Sequence, residues 1–169
     1  SGARDTMCGA LGLPKEKVRV VVGDVGGGLG MKTGLYPEQI VVAYAARQVG
    51  RQVKWTPTRI EEFLSSTHGR DVESHAELAL DADGKVLAYC IRSLAAVGAY
   101  GSTVGIIIQL MIGPWVSTSI YDIRTIDFTM DAVLTHTAPT SAYRGAGRPE
   151  AIYIIERLFN VAAQKLGLD

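Results

Sequence analysis

The sequence predicts an α+β fold, mixed α/β in content, on three observations. Helix-like and strand-like segments alternate from the N-terminus to Thr56. Glu73 to Leu80 and Val86 to Val97 then alternate with period two about an Asp83-Gly84 turn. Last, Glu150 to Leu166 holds a helical period and stops at Gly167. Helix-linked strands followed by an antiparallel meander favour α+β over a doubly wound parallel sheet.

The elements follow in order. Arg4 to Leu13 reads as a short helix closed by Gly12 and Pro14, and Val18 to Val22 as a β-branched buried strand. Pro37 to Val49 places Ile40, Val41, Tyr44 and Ala45 at helical spacing before Gly50. Gln52 to Thr56 reads as a strand. Thr58-Arg-Ile-Glu61 has the form of a capping box, opening a short helix with Ile60, Phe63 and Leu64. After the hairpin, Arg124 to Thr137 is expected to be a strand, with Ile126, Phe128 and Met130 on one face. Val97 to Trp115 mixes glycines with apolar residues. It fits a strand crossover, a buried helix over Thr103 to Leu110, or a segment lining a channel or touching a partner.

Composition bounds the function. The 169 residues are 47% hydrophobic, enough for a sizeable core, and carry 17 basic against 17 acidic side chains. That balance gives no footprint for nucleic acid. No apolar run approaches the ~18 residues of a membrane span, and no signal peptide is visible, so a soluble, cytoplasmic piece is expected. Cys8 and Cys90 stand far apart and are expected to be buried, reduced thiols. His68, His75 and His136 lack ligand spacing and are expected to be structural or surface residues, with no metal held by side chains.

Two glycine segments carry the chemistry. Ala142-Tyr-Arg-Gly-Ala-Gly-Arg148 sets two glycines among two arginines, directly before Pro149 and the last helix. Glycine lets backbone approach a ligand closely, and guanidinium forks suit oxyanions. Upstream, five glycines lie between Gly23 and Gly30, after the valine stretch and before Tyr36-Pro37-Glu38 opens a helix. Their chain-entropy cost asks for a reason, and backbone N–H groups turned toward an anion or oxo group supply one. For either segment alone, the plainer reading is a glycine turn that starts a helix.

Spacing tests two nucleotide patterns. A dinucleotide fingerprint starting at Gly26 needs glycine at 31, and a phosphate loop using Gly26, Lys32 and Thr33 needs it there too. Met31 breaks both. A nucleotide-phosphate-binding module using Gly26 to Thr33 stands as the alternative reading.

Together the segments resemble the large, molybdopterin-binding subunit of the xanthine oxidase, aldehyde oxidase and carbon monoxide dehydrogenase family. Asp24 to Lys32 is similar to its G-G-G-F-G-x-K loop and Ala142 to Arg148 to its A-[YF]-R-G-x-G loop. Val53-Lys-Trp with Arg59-Ile-Glu61, and the hairpin from Asp71 to Lys85, match it in the same order. The resemblance runs over essentially the whole chain, 1–169, as a single fragment of a cofactor-binding region within a subunit several times longer.

The resemblance implies a molybdenum–pterin cofactor, in the cytosine dinucleotide form, with Gly28, Leu29, Gly30, Arg144 and Gly145 as its contacts and Thr33 and Ala146 near substrate. It implies oxidative hydroxylation of an aldehyde or N-heterocycle. Electrons would pass to an FAD-binding medium subunit and a 2Fe-2S small subunit. Leu29 replaces the usual Phe. Gly145 stands where carbon monoxide oxidisers carry a copper-holding cysteine, and glycine offers no thiolate. Purine oxidisers place a substrate-binding Glu near Thr33 and an Arg shortly before Tyr121; Leu110 to Val116 has no such Arg, so xanthine is disfavoured. The family's general-base Glu lies outside this fragment. Alone, the fragment is expected to be inactive and to hold no cofactor.

Other charged residues have plainer readings. Glu61 and Glu62 read as cap and helix surface, Asp81 and Asp83 as hairpin-turn residues, and Glu38 as a first-turn acid favoured by the helix dipole. Lys32 flanks the first loop, within reach of substrate or a neighbouring domain.

Overall fold

Tyr36-Pro37 and Gly50 bracket the best-defined helix of the N-terminal half. Pro37 sits where a missing N–H costs nothing, and Gln39 reaches back to accept from the Tyr36 N–H at 2.9 Å. In the computed structural model, which describes residues 2–168, the chain divides into two compact units, residues 1–66 and 67–169.

The first unit holds α1 (Gly2–Leu11), a 3₁₀ turn at Lys15–Lys17, a second at Met31–Thr33, α2 (Pro37–Val49) and α3 (Arg59–Ser65). The capping box at α3 forms as its sequence implies: the Thr58 hydroxyl accepts from the Glu61 N–H, and the Glu61 carboxylate accepts from the Thr58 N–H at 2.7 Å. The Thr58 N–H and then the Thr58 hydroxyl, both on that carboxylate, hold the Glu61 carboxyl below its usual range. The two expected strands are corrections. Val18 to Val22 and Gln52 to Thr56 pair with nothing among the described residues, and Val21 and Val22 are each 72% exposed. β-propensity marks a segment fit for a sheet, but a strand exists only where a partner offers its ladder. Cys8 is buried and free.

The second unit is a three-stranded sheet in the order β1 (Val72–Leu80), β2 (Val86–Ala96), β3 (Ile126–Val133), backed by α6 (Arg148–Leu166). β1 and β2 form the expected hairpin, with Asp81 accepting from the Asp83 and Lys85 N–H groups through its turn. β3 pairs with β2 in parallel, so only the hairpin is antiparallel. A parallel pairing needs a crossover of a dozen or more residues. Val97 to Trp115 begins it, through α4 (Thr103–Ile107), a π turn (Ile108–Ile112) and α5 (Gly113–Trp115). The crossover reading holds, while the buried helix expected over Thr103 to Leu110 is corrected: the α-helix stops at Ile107, and Ile106, Ile107 and Leu110 are exposed.

β2 is central and alternates strictly: Tyr89, Ile91, Ser93 and Ala95 are buried while Arg92 and Leu94 are exposed. Tyr89, Ile91, Ile123 and Ile155 form the core, with Phe128, Leu158 and Phe159 packed around them. Cys90 is half-buried and free.

Candidate functional site

The first glycine loop turns by left-handed backbone. Gly27, Leu29 and Gly30 have φ of 110°, 49° and 95°. Leucine rarely adopts that region, which costs it roughly 1 kcal/mol or more. The 3₁₀ turn closes the loop, with Thr33 N–H donating to the Gly30 carbonyl at 3.0 Å and Lys32 N–H to Gly28 at 3.3 Å. Tyr36 Oη donates to the Met31 carbonyl at 2.8 Å, and Lys32 Nζ reaches Glu62 Oε1 at 2.6 Å. Lys32 and Glu62 thus tie the loop to α3, a pairing that local reading of either residue missed. The amides of Gly28, Leu29 and Gly30 donate to no acceptor among the described residues. The Leu29 side chain is 63% exposed and Thr33 is also exposed.

Beside this loop lies a cleft of about 580 Å³ lined by Lys32, Tyr36, Glu38, Trp55 and Glu62. Glu38 Oε2 is buried there without a hydrogen-bond partner, which the helix dipole alone does not explain.

The second loop is built from both sides. Gly145, Ala146 and Gly147 have φ of 107°, 49° and 87°, and Gly147 starts α6. A Cβ on Gly145 would stand 2.6 Å from the Pro149 ring, so no larger residue fits this backbone. Ala146 N–H donates to Tyr143 at 2.9 Å and Arg148 N–H to Gly145 at 3.3 Å. Arg148 Nη1 also turns back onto the Gly145 carbonyl at 3.2 Å, which occupies part of one expected fork. The Arg144 guanidinium is exposed and makes no hydrogen bond or ion pair among the described residues.

A third participant had no local signal. Arg70, with φ of 62°, donates from Nη2 to the Arg144 carbonyl at 2.6 Å and lies 4.5 Å over the Tyr143 ring. His68 N–H donates to Pro139 and Ser141 N–H to His68, so the strand-like run before Arg70 is fastened alongside the approach to the loop. Of the four non-glycine residues with positive φ among the described residues, Leu29, Arg70 and Ala146 belong to the two loops or their support. Backbone strain gathers where function needs a fixed geometry.

No group of three or more His, Cys, Asp or Glu suited to a metal ion occurs among the described residues, and no helix is long and apolar enough to cross a membrane. The nucleotide alternative also loses ground: Met31–Thr33 is a single 3₁₀ turn, and the next helix starts only at Pro37, so no helix N-terminus meets the loop.

Each unit thus carries one open loop: amides without acceptors on the strained turn at Gly27 to Gly30 in the first, and an unpaired guanidinium on the prebuilt turn after Arg144 in the second. Such loops receive a bound group bearing oxo or anionic oxygens, one that side chains do not ligate. The chain matches the molybdopterin cofactor-binding domain over residues 1–169 and belongs to that family. The amides of Gly28 to Gly30 and the guanidinium of Arg144 fit a cofactor of that chemistry.

The chain is 36% identical over 164 residues to the gamma subunit of the 6-hydroxypseudooxynicotine dehydrogenase complex of Paenarthrobacter nicotinovorans, covering 94% of this chain and 20% of that protein. It is 37% identical over 161 residues to the carbon monoxide dehydrogenase large chain of Hydrogenophaga pseudoflava, with the same coverage of 94% and 20%. Quinoline 2-oxidoreductase from Pseudomonas putida 86 superposes with a TM-score of 0.94 at 34% identity, over 99% of this chain and 21% of that one. The chain thus spans about a fifth of the length of these relatives.

Proposed function

We propose that this chain is one wall of the cofactor site in a molybdenum-hydroxylase large subunit that hydroxylates an aldehyde or an N-heterocycle. The observation that carries the reading is the set of open amides at Gly28, Leu29 and Gly30 on a loop held in left-handed backbone. These amides would donate to oxygen ligands of a molybdenum–pterin cofactor, in its cytosine dinucleotide form, while Arg144 lays positive charge beside it. The cofactor would supply the oxygen transfer and accept the substrate's electrons. This chain's residues would orient that group and shape the entrance, with Thr33 and Ala146 near substrate and Gly145 keeping the loop narrow. The general-base Glu would come from outside residues 1–169. Iron–sulfur and FAD-binding partner subunits would take the electrons onward, in the cytoplasm.

Two further observations support the reading. Quinoline, an N-heterocycle, is named for one structural relative. Val21, Val22 and Val25 are each 72% exposed, an apolar stretch suited to being covered by further chain. Carbon monoxide is disfavoured as substrate although several relatives are named for it. Gly145 has no thiolate for copper, and a Cβ there would collide with Pro149. The piece 1–169 alone would hold no cofactor, since solvent-exposed hydrogen bonds net only ~1 kcal/mol each.

Metal and pterin analysis of the full-length subunit tests this. Stoichiometric molybdenum and pterin without copper, and turnover of an aldehyde or N-heterocycle, are expected. Stoichiometric copper, absence of molybdenum, or carbon monoxide turnover at a comparable rate would overturn it.

A further inference from the structure

We infer that Arg70 is the positioning residue that fixes the Arg144-Gly145-Ala146-Gly147 loop, acting through the Arg144 carbonyl and the Tyr143 ring. One guanidinium makes both contacts: Nη2 donates to the Arg144 carbonyl at 2.6 Å, and the carbon of the fork sits 4.5 Å from the Tyr143 ring centroid. A charged donor on a carbonyl is stronger than a neutral one, and a planar cation over an aromatic face adds a second restraint. Only arginine combines a flat fork with a permanent charge, so lysine substitutes poorly.

The rest of the segment is shaped for this reach. Arg70 itself is held at φ 62°, a conformation its side chain disfavours. Gly69 lies so close beneath Tyr143 that a Cβ there would come 2.7 Å from the tyrosine Cβ. Backbone bonds from His68 to Pro139 and from Ser141 to His68 set the base from which Arg70 reaches. Among the described residues, the loop it serves has two internal amide bonds, Ala146 to Tyr143 and Arg148 to Gly145. Arg70 therefore supplies the clamp that two short turns lack. The consequence for the cofactor rests on the reading above; the clamp on the loop does not.

The test uses the full-length subunit in its complex, with residue-resolved hydrogen exchange as the main readout. In Arg70→Ala, exchange at the Ala146 and Arg148 amides is expected to rise about tenfold or more, the effect of losing one bond from a charged donor, while β2 stays protected. Arg70→Lys is expected to rise less, and Gly69→Ala to reproduce the loosening by displacing Tyr143. In the loaded enzyme, the Mo(V) electron paramagnetic resonance spectrum of Arg70→Ala should differ from that of the wild type. Unchanged exchange at Ala146 and Arg148 would overturn the inference. If Arg70→Ala unfolds as a whole, Arg70→Lys decides by the same two amides. A wild-type subunit without molybdenum would sink the proposed function, yet the exchange result would still decide the role of Arg70.

Discussion

The two glycine loops look alike in sequence and are held in opposite ways. In the loop from Ala142 to Arg148, the chain itself demands the glycines. A Cβ on Gly145 would enter the Pro149 ring, one on Gly147 would press on Ile108 at 3.1 Å, and Arg70 clamps the Arg144 carbonyl just before them. In the loop from Gly23 to Gly30, a Cβ on Gly23, Gly26 or Gly27 would meet nothing within 4 Å. That loop is steadied by one 3₁₀ turn, the Tyr36 hydroxyl and an exposed ion pair. One loop is prebuilt by its own unit; the other keeps its amides open, and packing accounts there for Gly28, whose Cβ would stand 3.2 Å from the Lys32 Cβ, but not for Gly23, Gly26 or Gly27. The second loop is thus rigid and the first adaptable, each within its own unit.

The largest expected effect falls on the rigid loop. Arg144→Ala in the full-length subunit should lower turnover by about 100-fold, the scale seen when one preorganised charge-stabilising donor is removed, with circular dichroism unchanged. Full activity in that variant would remove Arg144 from the site. The comparison itself is tested by one pair of substitutions. Gly145→Ala combines a φ of 107° with a 2.6 Å contact and should destabilise the apo-subunit by about 3 kcal/mol in denaturant unfolding. Gly26→Ala should stay within about 0.5 kcal/mol. Equal losses would show that both loops are equally prebuilt.

A third prediction contrasts the cores. The Tyr89 hydroxyl is buried without a partner, and burial pushes its pKa up to about 12. Its neutral form is the one the fold prefers. That stability is fully present below the ordinary value of 10.0 and is lost as pH rises toward about 12. Tyr89→Phe should therefore stabilise the second unit by about 1 kcal/mol and remove the loss above pH 10.0, as read by thermal unfolding across alkaline pH. The smallest effect belongs to the adaptable loop. Glu62→Gln breaks an ion pair whose lysine is 55% exposed, and should cost at most about 0.5 kcal/mol, fading at high salt.

Much of this was legible in the chain, and the misses share a cause. Pro37 and Gly50 fixed α2 to the residue because proline and glycine act locally. Thr58 and Glu61 fixed the cap of α3 for the same reason. Val18 to Val22 has every local mark of a strand, but no local mark reports a missing partner. Alternation in β3 revealed which face is buried and was silent on direction, since period two is the same in parallel and antiparallel pairs. Of the site, the glycine loops and Arg144 were visible as motifs. Arg70 was invisible, because its partner is 74 residues away and no spacing rule reaches that far.

The parallel pairing of β2 with β3 carries a consequence for the newborn chain. Cys90 and Asp127 face each other across that pair, yet stand 37 positions apart. At ribosomal speeds of about 5–20 residues per second, β2 waits roughly 2–7 s after emerging before its second neighbour exists. The hairpin can close on one edge during that interval, leaving Tyr89, Ile91 and Ala95 on a strand whose other edge is bare. Synthesis therefore passes through a stage at which this sheet is most exposed to wrong pairing. Slow codons between Val97 and Arg124 would lengthen that stage, and a holding chaperone would find its target there.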